Sequence, residues 1–447
     1  MNTGSSASPQ PSDSSVGATA HDPDFAGEDV RIAPVLVALT MPADGVPDVV
    51  VDERGLVSAA SFLAVGTGPA AIDAERASGY RYGQRAYLIQ IRREGAGTWL
   101  VDPIACPDLS PIAEALTDVE WILHAATQDL PCLAEVGLHP TRLFDTELAG
   151  RLIGLPRVGL AAVVEHYLGL TLAKEHSAVD WSTRPLPEPW LRYAALDVEV
   201  LGQVRDLMAA DLAAQDKMVW AEQEFDALTR FTGPPVRFEP WRRTSGMHKV
   251  RNRRGAAMVR ELWQTREEIA IERDVSPGRV LPDVALIDLA LTSPKTDADI
   301  HDGPSARSVR RYQRQLLAAL ERARHVPESE LPALARRPDG PPPARAWPDR
   351  DPAAAARLAQ ARAALGEFAQ ARNIPIENVL SPDSIRRVLW SPPPGPTLES
   401  IAEALRALGA RQWQIDIAGP ILEEAINRPV EAEAKMARGV TVEVTGE

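Results

Sequence analysis

The sequence predicts an α/β or α+β domain followed by two small all-helical modules. Three observations point there. Short β-rich runs precede and alternate with helical patterns over residues 31–232. Amphipathic helical periodicity takes over after residue 250 and again after 353. A short motif in the first helical stretch recurs in the second.

Residues 1–30 are rich in Ser, Ala, Gly, Pro and Asp and contain no Lys or Arg. They cannot bury enough apolar surface to offset ordering, which predicts a disordered acidic tail. Ala70-Ala71-Ile72 reads as a strand start. Tyr87–Ile91 and Thr98–Val101 follow, joined through Arg92 to Gly97 by a Gly-containing hairpin loop. Trp121–Leu123 makes a further strand, and later segments are helical in pattern. Strands first, with helices between and after, give the α/β or α+β class. Phe231-Thr232-Gly233-Pro234-Pro235 closes this domain, with a linker over 233–249.

From 250 to 325, Met258, Leu262, Trp263 and Ile269 form one apolar helical stripe. Trp241 and Trp263 read as core residues, not stacking platforms. Eight prolines between Val326 and Pro352 mark a second linker over 326–352. Residues 353–427 are helical again, and 428–447 form a C-terminal tail. Arg273-Asp274-Val275, a spacer and Arg279-Val280-Leu281 recur as Arg372-Asn373-Ile374, a spacer and Asn378-Val379-Leu380. Two copies of one module is the economical reading, since a solenoid needs about three or more.

The chain has 447 residues, so about three domains are expected. Its two cysteines, Cys106 and Cys132, form no CxxC pair, which excludes a disulfide framework and a zinc ribbon. No apolar run approaches the ~18 residues of a membrane span. The N-terminus has no basic-flanked apolar leader. A soluble, cytoplasmic protein is the expectation. With 62 acidic and 48 basic residues, the net charge of −14 argues against a nucleic-acid partner at first sight. Residues 241–325, however, hold 17 Lys and Arg against 11 Asp and Glu. Modest, salt-sensitive binding carried by the first helical module is therefore expected.

Asp73-Ala74-Glu75 puts two carboxylates on one face of a strand. Such a pair repels unless a cation sits between, and Mg²⁺ or Mn²⁺ favour oxygen ligands. Alone the signal is weak, because D-x-E recurs at Asp118, Asp145 and Asp197. Two further elements strengthen it. His124-Ala125-Ala126-Thr127-Gln128-Asp129 follows a strand and opens a helix. Tyr193 and Asp197, spaced i and i+4, share one helix face. The blander readings are a first-turn Asp complementing the helix dipole and a packed Tyr beside a surface Asp. Asp145 reads as a helix N-cap.

In this order and on these elements, the residues resemble the DEDDy branch of the DEDD 3′→5′ exonucleases. Asp73 and Glu75 match the first motif, Asp129 the second, and Tyr193 with Asp197 the third. The match is closer to the ribonuclease D family, through Tyr80-Arg81-Tyr82-Gly83-Gln84 with Leu88-Ile89-Gln90, and through Lys174-Glu175-His176-Ser177, Asp180-Trp181 and Arg184-Pro185-Leu186. Ala74 and Arg76 depart from the usual neighbours of the first motif, and Pro392-Pro393-Pro394 interrupts the second module.

The resemblance implies a ribonuclease-H-like domain with a mixed central sheet and two HRDC-like helical domains. It implies hydrolysis with two divalent cations, Mg²⁺ or Mn²⁺, about 3.5–4 Å apart. Asp73, Glu75 and Asp197 would hold one and Asp129 would support the other, bridged by Asp73. Tyr193 would orient the attacking water. The implied substrate is RNA with a free 3′ end, such as tRNA precursors, and the products 5′-mononucleotides. A monomer is expected. Lys174, Arg184, Gln128 and His124 are candidate substrate contacts, His124 through hydrogen bonding. Arg242, Arg243, Lys249, Arg251, Arg253 and Arg254 are candidate phosphate contacts. A 3′→5′ DNA exonuclease and a non-catalytic RNA-binding adaptor are the alternatives.

Overall fold

The computed structural model describes residues 36–172, 176, 178–235, 237–300, 305–334 and 340–428. The expected N-terminal tail, Lys174 and all but the first residue of the expected C-terminal tail lie outside the described residues. The strands are β1 (Val37–Leu39), β2 (Val49–Val50), β3 (Thr67–Arg76), β4 (Ala86–Glu94), β5 (Gly97–Val101), β6 (Glu120–Leu123), β7 (Arg142–Asp145) and β8 (Leu170–Leu172). Helices α1 (Glu53–Val65), α2 (Ser110–Ala115), α3 (Leu130–Glu135), α4 (Thr146–Ile153), α5 (Leu160–Leu168), α6 (Glu188–Glu199), α7 (Leu201–Ala214) and α8 (Met218–Thr229) complete this part.

Six strands form one sheet in the order β2-β5-β4-β3-β6-β7. β3 pairs antiparallel with β4 and parallel with β6, so the sheet is mixed, and the domain is α/β. β3 runs through its centre. Its middle residues, Ala70 to Ile72, are buried on both faces, which explains a run without alternation. The β4–β5 hairpin turns at Gly95, where φ is +75°, a conformation that suits glycine. β1 and β8 pair separately and in parallel.

The first helical module comprises α9 (Arg253–Arg273), α10 (Pro277–Val280), α11 (Asp283–Thr292), α12 (Ala306–Arg311) and α13 (Gln313–His325). The second comprises α14 (Trp347–Arg350), α15 (Pro352–Ala371), α16 (Ile376–Val379), α17 (Pro382–Trp390), α18 (Leu398–Ala407) and α19 (Gln412–Asn427). The repeated motif is a repeated corner. α9 ends on Asp274 with φ +47°, and α15 is followed, one residue later, by Asn373 with φ +48°. Asp and Asn tolerate this left-handed conformation better than other side-chain-bearing residues. Val280 and Leu281 then bury themselves as Val379 and Leu380 do. The stretch 326–352 is more than a linker. Trp347 is fully buried, donates its indole N–H to the Pro342 carbonyl at 2.8 Å and packs on Trp390. Trp241 is buried in the first module and Trp263 packs against that core.

Both corners dock onto the sheet domain, by different chemistry. Asp274 accepts from Arg85 at 3.1 Å and from the Tyr82 amide at 3.4 Å. The second module instead shares one apolar core with the sheet domain. There Trp413 stacks on Trp220 at 4.8 Å, and its indole N–H donates to Glu224 at 3.0 Å. Asn373 packs on Gly154, which has φ +91°; a Cβ at Gly154 would run into the Asn373 carbonyl and side chain. Gly154→Ala is therefore expected to destabilise the chain by about 1–3 kcal/mol, combining overpacking with left-handed strain. Thermal unfolding with limited proteolysis of the second module checks this; an unchanged melting temperature would contradict it.

Among the described residues, no helix is long and apolar enough to cross a membrane.

Candidate active site

The carboxyl ends of β3 and β6, parallel neighbours in the sheet, open on one cavity of about 380 Å³. β3 supplies Asp73, Glu75 and Arg76; the turn after β6 supplies His124, Gln128 and Asp129; α6 supplies Tyr193 and Asp197. All eight of these motif and motif-neighbouring residues line this cavity. Leu160, Ala161, Leu172 and Leu201 form its apolar wall.

Asp73, Glu75 and Asp197 each bring a carboxylate oxygen within 4.8 Å of the other two. Strand alternation aligns the first pair, and one turn of α6 places Tyr193 against Asp197, to which its hydroxyl donates a hydrogen bond. Burial, then the charge of Asp73, raises the pKa of Asp197 well above the usual carboxylate range. Glu75 is raised well above its usual range by burial and then by Asp73, Asp197 and Asp129. Burial also raises Asp73, against its neighbouring backbone and Arg76. Such a trio repels itself in the absence of a cation. Oxygen donors alone, at this spacing, fit a hard divalent ion.

Asp129 stands apart from the trio, paired with Arg76 at 3.4 Å. Among the described residues, Arg76 is the one Lys or Arg lining the cavity. Burial and Asp73 raise the Asp129 carboxyl well above its usual range, while Arg76 opposes them.

The turn that carries His124 and Asp129 is fixed from behind. Ala125 is left-handed at φ +58°, and Asp145 holds it. Its buried carboxylate accepts from the amides of Ala125 (3.1 Å), Ala126 (2.9 Å), Glu147 (2.8 Å) and Leu148 (3.1 Å). Asp145 is thus the N-cap of α4 and the anchor of the β6 turn together. His124 meets the Thr146 hydroxyl at 2.9 Å, and burial lowers its pKa to about 4, so it is neutral near pH 7.

Not every expected contact gathers here. Arg184 is engaged inside the domain: it pairs with Asp102 at 2.6 Å and donates to the carbonyls of Trp181, Thr183 and Tyr87, each at 2.8 Å. Its guanidinium braces the loop before α6 and does not line the cavity. The basic run divides in two. Arg242 binds Glu239 and the Ala333 carbonyl. Arg253 binds the Glu328 and Leu331 carbonyls, and Arg254 those of Ala323 and Arg324 with the Glu328 carboxylate. These three fasten the first module's own chain. Arg243, Lys249 and Arg251 are exposed, and their side chains have no hydrogen bond or ion pair among the described residues. The apolar wall escaped sequence reasoning because a Leu or Ala in a helix reads as core. Arg76 was visible only as a departure from pattern.

This arrangement defines a carboxylate-based phosphodiester hydrolase of the 3′→5′ exonuclease class. A 3′-5′ exonuclease family model matches residues 48–213, an HRDC domain model residues 256–320, and a 3′ to 5′ exonuclease C-terminal domain model residues 340–426. Ribonuclease D of Jannaschia sp. (strain CCS1) is 35% identical over 279 residues, covering 59% of this chain and 71% of that protein. Ribonuclease D of Pseudomonas paraeruginosa is 32% identical over 253 residues, covering 55% of this chain and 67% of that protein. A crystal structure of a protein from Bifidobacterium adolescentis is 39% identical with a TM-score of 0.79, covering 88% of this chain and 99% of that one. The crystal structure of Escherichia coli RNase D matches with a TM-score of 0.60 and 26% identity, covering 81% of this chain and 98% of that one. The chain belongs to the ribonuclease D family and is a 3′→5′ exoribonuclease.

Proposed function

We propose that this chain trims structured RNA from a free 3′ end, tRNA precursors among its substrates, and releases 5′-mononucleotides. The observation that carries the reading is the gathering of Asp73, Glu75, Asp129, Tyr193 and Asp197 in one cavity. The Escherichia coli relative is described as an exoribonuclease involved in structured RNA processing, which supports the substrate class. Asp73, Glu75 and Asp197 would hold one divalent ion, Mg²⁺ or Mn²⁺, and Asp129 with Asp73 a second. Bound there, such ions activate water and stabilise the entering and leaving oxygens of an in-line displacement.

The remaining work belongs to side chains. Burial and the neighbouring carboxylates push the Tyr193 hydroxyl far above its ordinary pKa. It stays protonated, so it orients water through its Oη and does not act as a free base. Gln128, exposed at the mouth, offers an amide that donates and accepts. Neutral His124 holds the turn to α4. Leu160, Ala161 and Leu172 exclude water around the terminal nucleotide. Domain limits at 31–232, 250–325 and 353–427 are adopted, with the second module extended back to Trp347 because its indole belongs to that core. A monomer in the cytoplasm is the state proposed.

Tyr193→Phe is expected to lower kcat about a hundredfold while leaving metal affinity within a factor of two or so. Stopped assays on a defined RNA, alongside calorimetric metal titration, check this; an equal loss of metal binding would make Tyr193 a structural residue. Matched RNA and DNA oligonucleotides with free 3′ ends test the sugar preference. RNA binding without cleavage in Mg²⁺ or Mn²⁺ would revive an adaptor role.

A further inference from the structure

The joint between the sheet domain and the first helical module is richer in arginine than its bonds require. Arg81 and Arg85 share one carboxylate, Asp274, at 3.7 and 3.1 Å. Arg85 also lies over the Tyr87 ring at 5.1 Å and donates to its hydroxyl at 3.0 Å, and Arg81 donates to the Ser182 hydroxyl at 2.8 Å. Arg279 lies over Tyr80 at 4.2 Å and donates to the Gly79 carbonyl at 2.8 Å. Next to Asp274 in sequence, Arg273 lies 5.3 Å from the Tyr312 ring, and Arg311 lies 5.4 Å from the same ring. Neither Arg273 nor Arg311 has an acidic partner among the described residues. Of the other acids nearby, Glu267 bonds the Tyr82 hydroxyl and pairs with Arg266, and Glu135 acts on Arg85 only at a distance.

We propose that this arginine–tyrosine seam is a phosphate-tracking site for the single strand of RNA upstream of the 3′ end. Four points converge. Two like-charged guanidiniums gathered on one ring repel each other and gain from an incoming anion. A guanidinium stacked on an aromatic face keeps its planar N–H fork available to grip phosphate bidentately. The loop 77–85, which carries Arg81 and Arg85, begins at the residue after Arg76, itself a lining residue of the catalytic cavity. A strand whose terminal nucleotide occupies that cavity meets this loop on leaving it. Finally, half of the basic run at 242–254 is occupied in holding the module together, which leaves the seam as the larger unbalanced set of guanidiniums.

The proposal rests on the cavity being where the 3′ nucleotide is cleaved, and its test separates the two. The full chain carrying Arg273→Gln and Arg311→Gln is compared with the parent, both in an Asp197→Asn background that prevents cleavage. Fluorescence anisotropy reports binding of a labelled U-rich trinucleotide and dodecanucleotide between about 50 and 200 mM salt. The dodecanucleotide is expected to bind about tenfold more weakly, with a log–log salt slope shallower by about 1.4, since each phosphate contact to a single strand contributes about 0.7. Trinucleotide binding is expected to stay unchanged, as is trinucleotide hydrolysis when the same pair is changed in the active chain. An unchanged dodecanucleotide affinity and slope would overturn the proposal. So would equal losses for both lengths, which would mean a distorted cavity. A larger loss from Arg243→Gln, Lys249→Gln and Arg251→Gln together would overturn it too, by placing the strand on the basic run. If the parent enzyme fails to hydrolyse the trinucleotide at all, the exonuclease reading of the cavity falls, whatever the seam does.

Discussion

Asp197→Asn will abolish mononucleotide release, by about 10³–10⁴-fold in kcat, in a protein that folds normally. The substitution keeps the shape of the side chain and leaves an oxygen to accept the Tyr193 hydroxyl. What it removes is one of three carboxylates whose oxygens lie within 4.8 Å of one another. The fold tolerates it because burial and Asp73 already disfavour the charged form of Asp197. Asp73→Asn should cost at least as much, since Asp73 belongs to the trio and its charge also acts on Asp129. Circular dichroism establishes the fold, and release of nucleotides from a 3′ end reports the chemistry. Activity within tenfold of the parent enzyme in the Asp197→Asn protein would remove the trio from the mechanism.

The second large effect concerns stability and its sign. Glu75, Asp129 and Asp197 are all raised well above their ordinary range in the folded state, and Asp73 is raised as well. Between the ordinary carboxylate range and those raised values, the folded chain holds protons that the unfolded chain has released. Stability must then fall as pH rises through that window, in chelator, and level off above it. A divalent ion reverses this, because it binds the ionised trio and stabilises the native state by mass action. Melting temperatures measured in chelator should drop from about pH 6.5 to pH 8, above the range in which the lowered pKa of His124 acts in the opposite sense, and saturating Mg²⁺ or Mn²⁺ should restore them more at the higher pH. Glu75→Gln should raise metal-free stability by about 0.5–2 kcal/mol while abolishing that restoration. A chelated protein whose melting temperature rises over the same range would refute the account.

The five motif residues were legible because each obeys a local rule. Asp73 and Glu75 share a face through strand alternation, and Tyr193 and Asp197 through one helical turn. The strands around Ile72, Ile89, Leu100 and Ile122 were legible for the same reason, as was the repeat that runs from Arg273 to Leu281 and from Arg372 to Leu380. What escaped depends on partners remote in sequence. Nothing near Arg184 discloses that Asp102 will claim it, and nothing near Arg254 discloses that the carbonyls in the last turn of α13 will. A charge run shows how many cations there are, not which of them are already bonded. The pairing of Arg76 with Asp129 spans two strands. The role of Asp145 was half legible: its cap on α4 is local, while its grip on the Ala125 and Ala126 amides crosses from one strand to the next.

The two corners have one more consequence. Asp274 carries a charge where Asn373 carries none, so the two joints answer to different solvents. The first is made of ions and rings near water, and dissolved salt competes for it directly. The second combines one ion pair, Arg411 with Glu224 at 3.0 Å, with a tryptophan stack on a continuous apolar core, which cold loosens. Ionic strength therefore weighs more on the first joint and temperature more on the second.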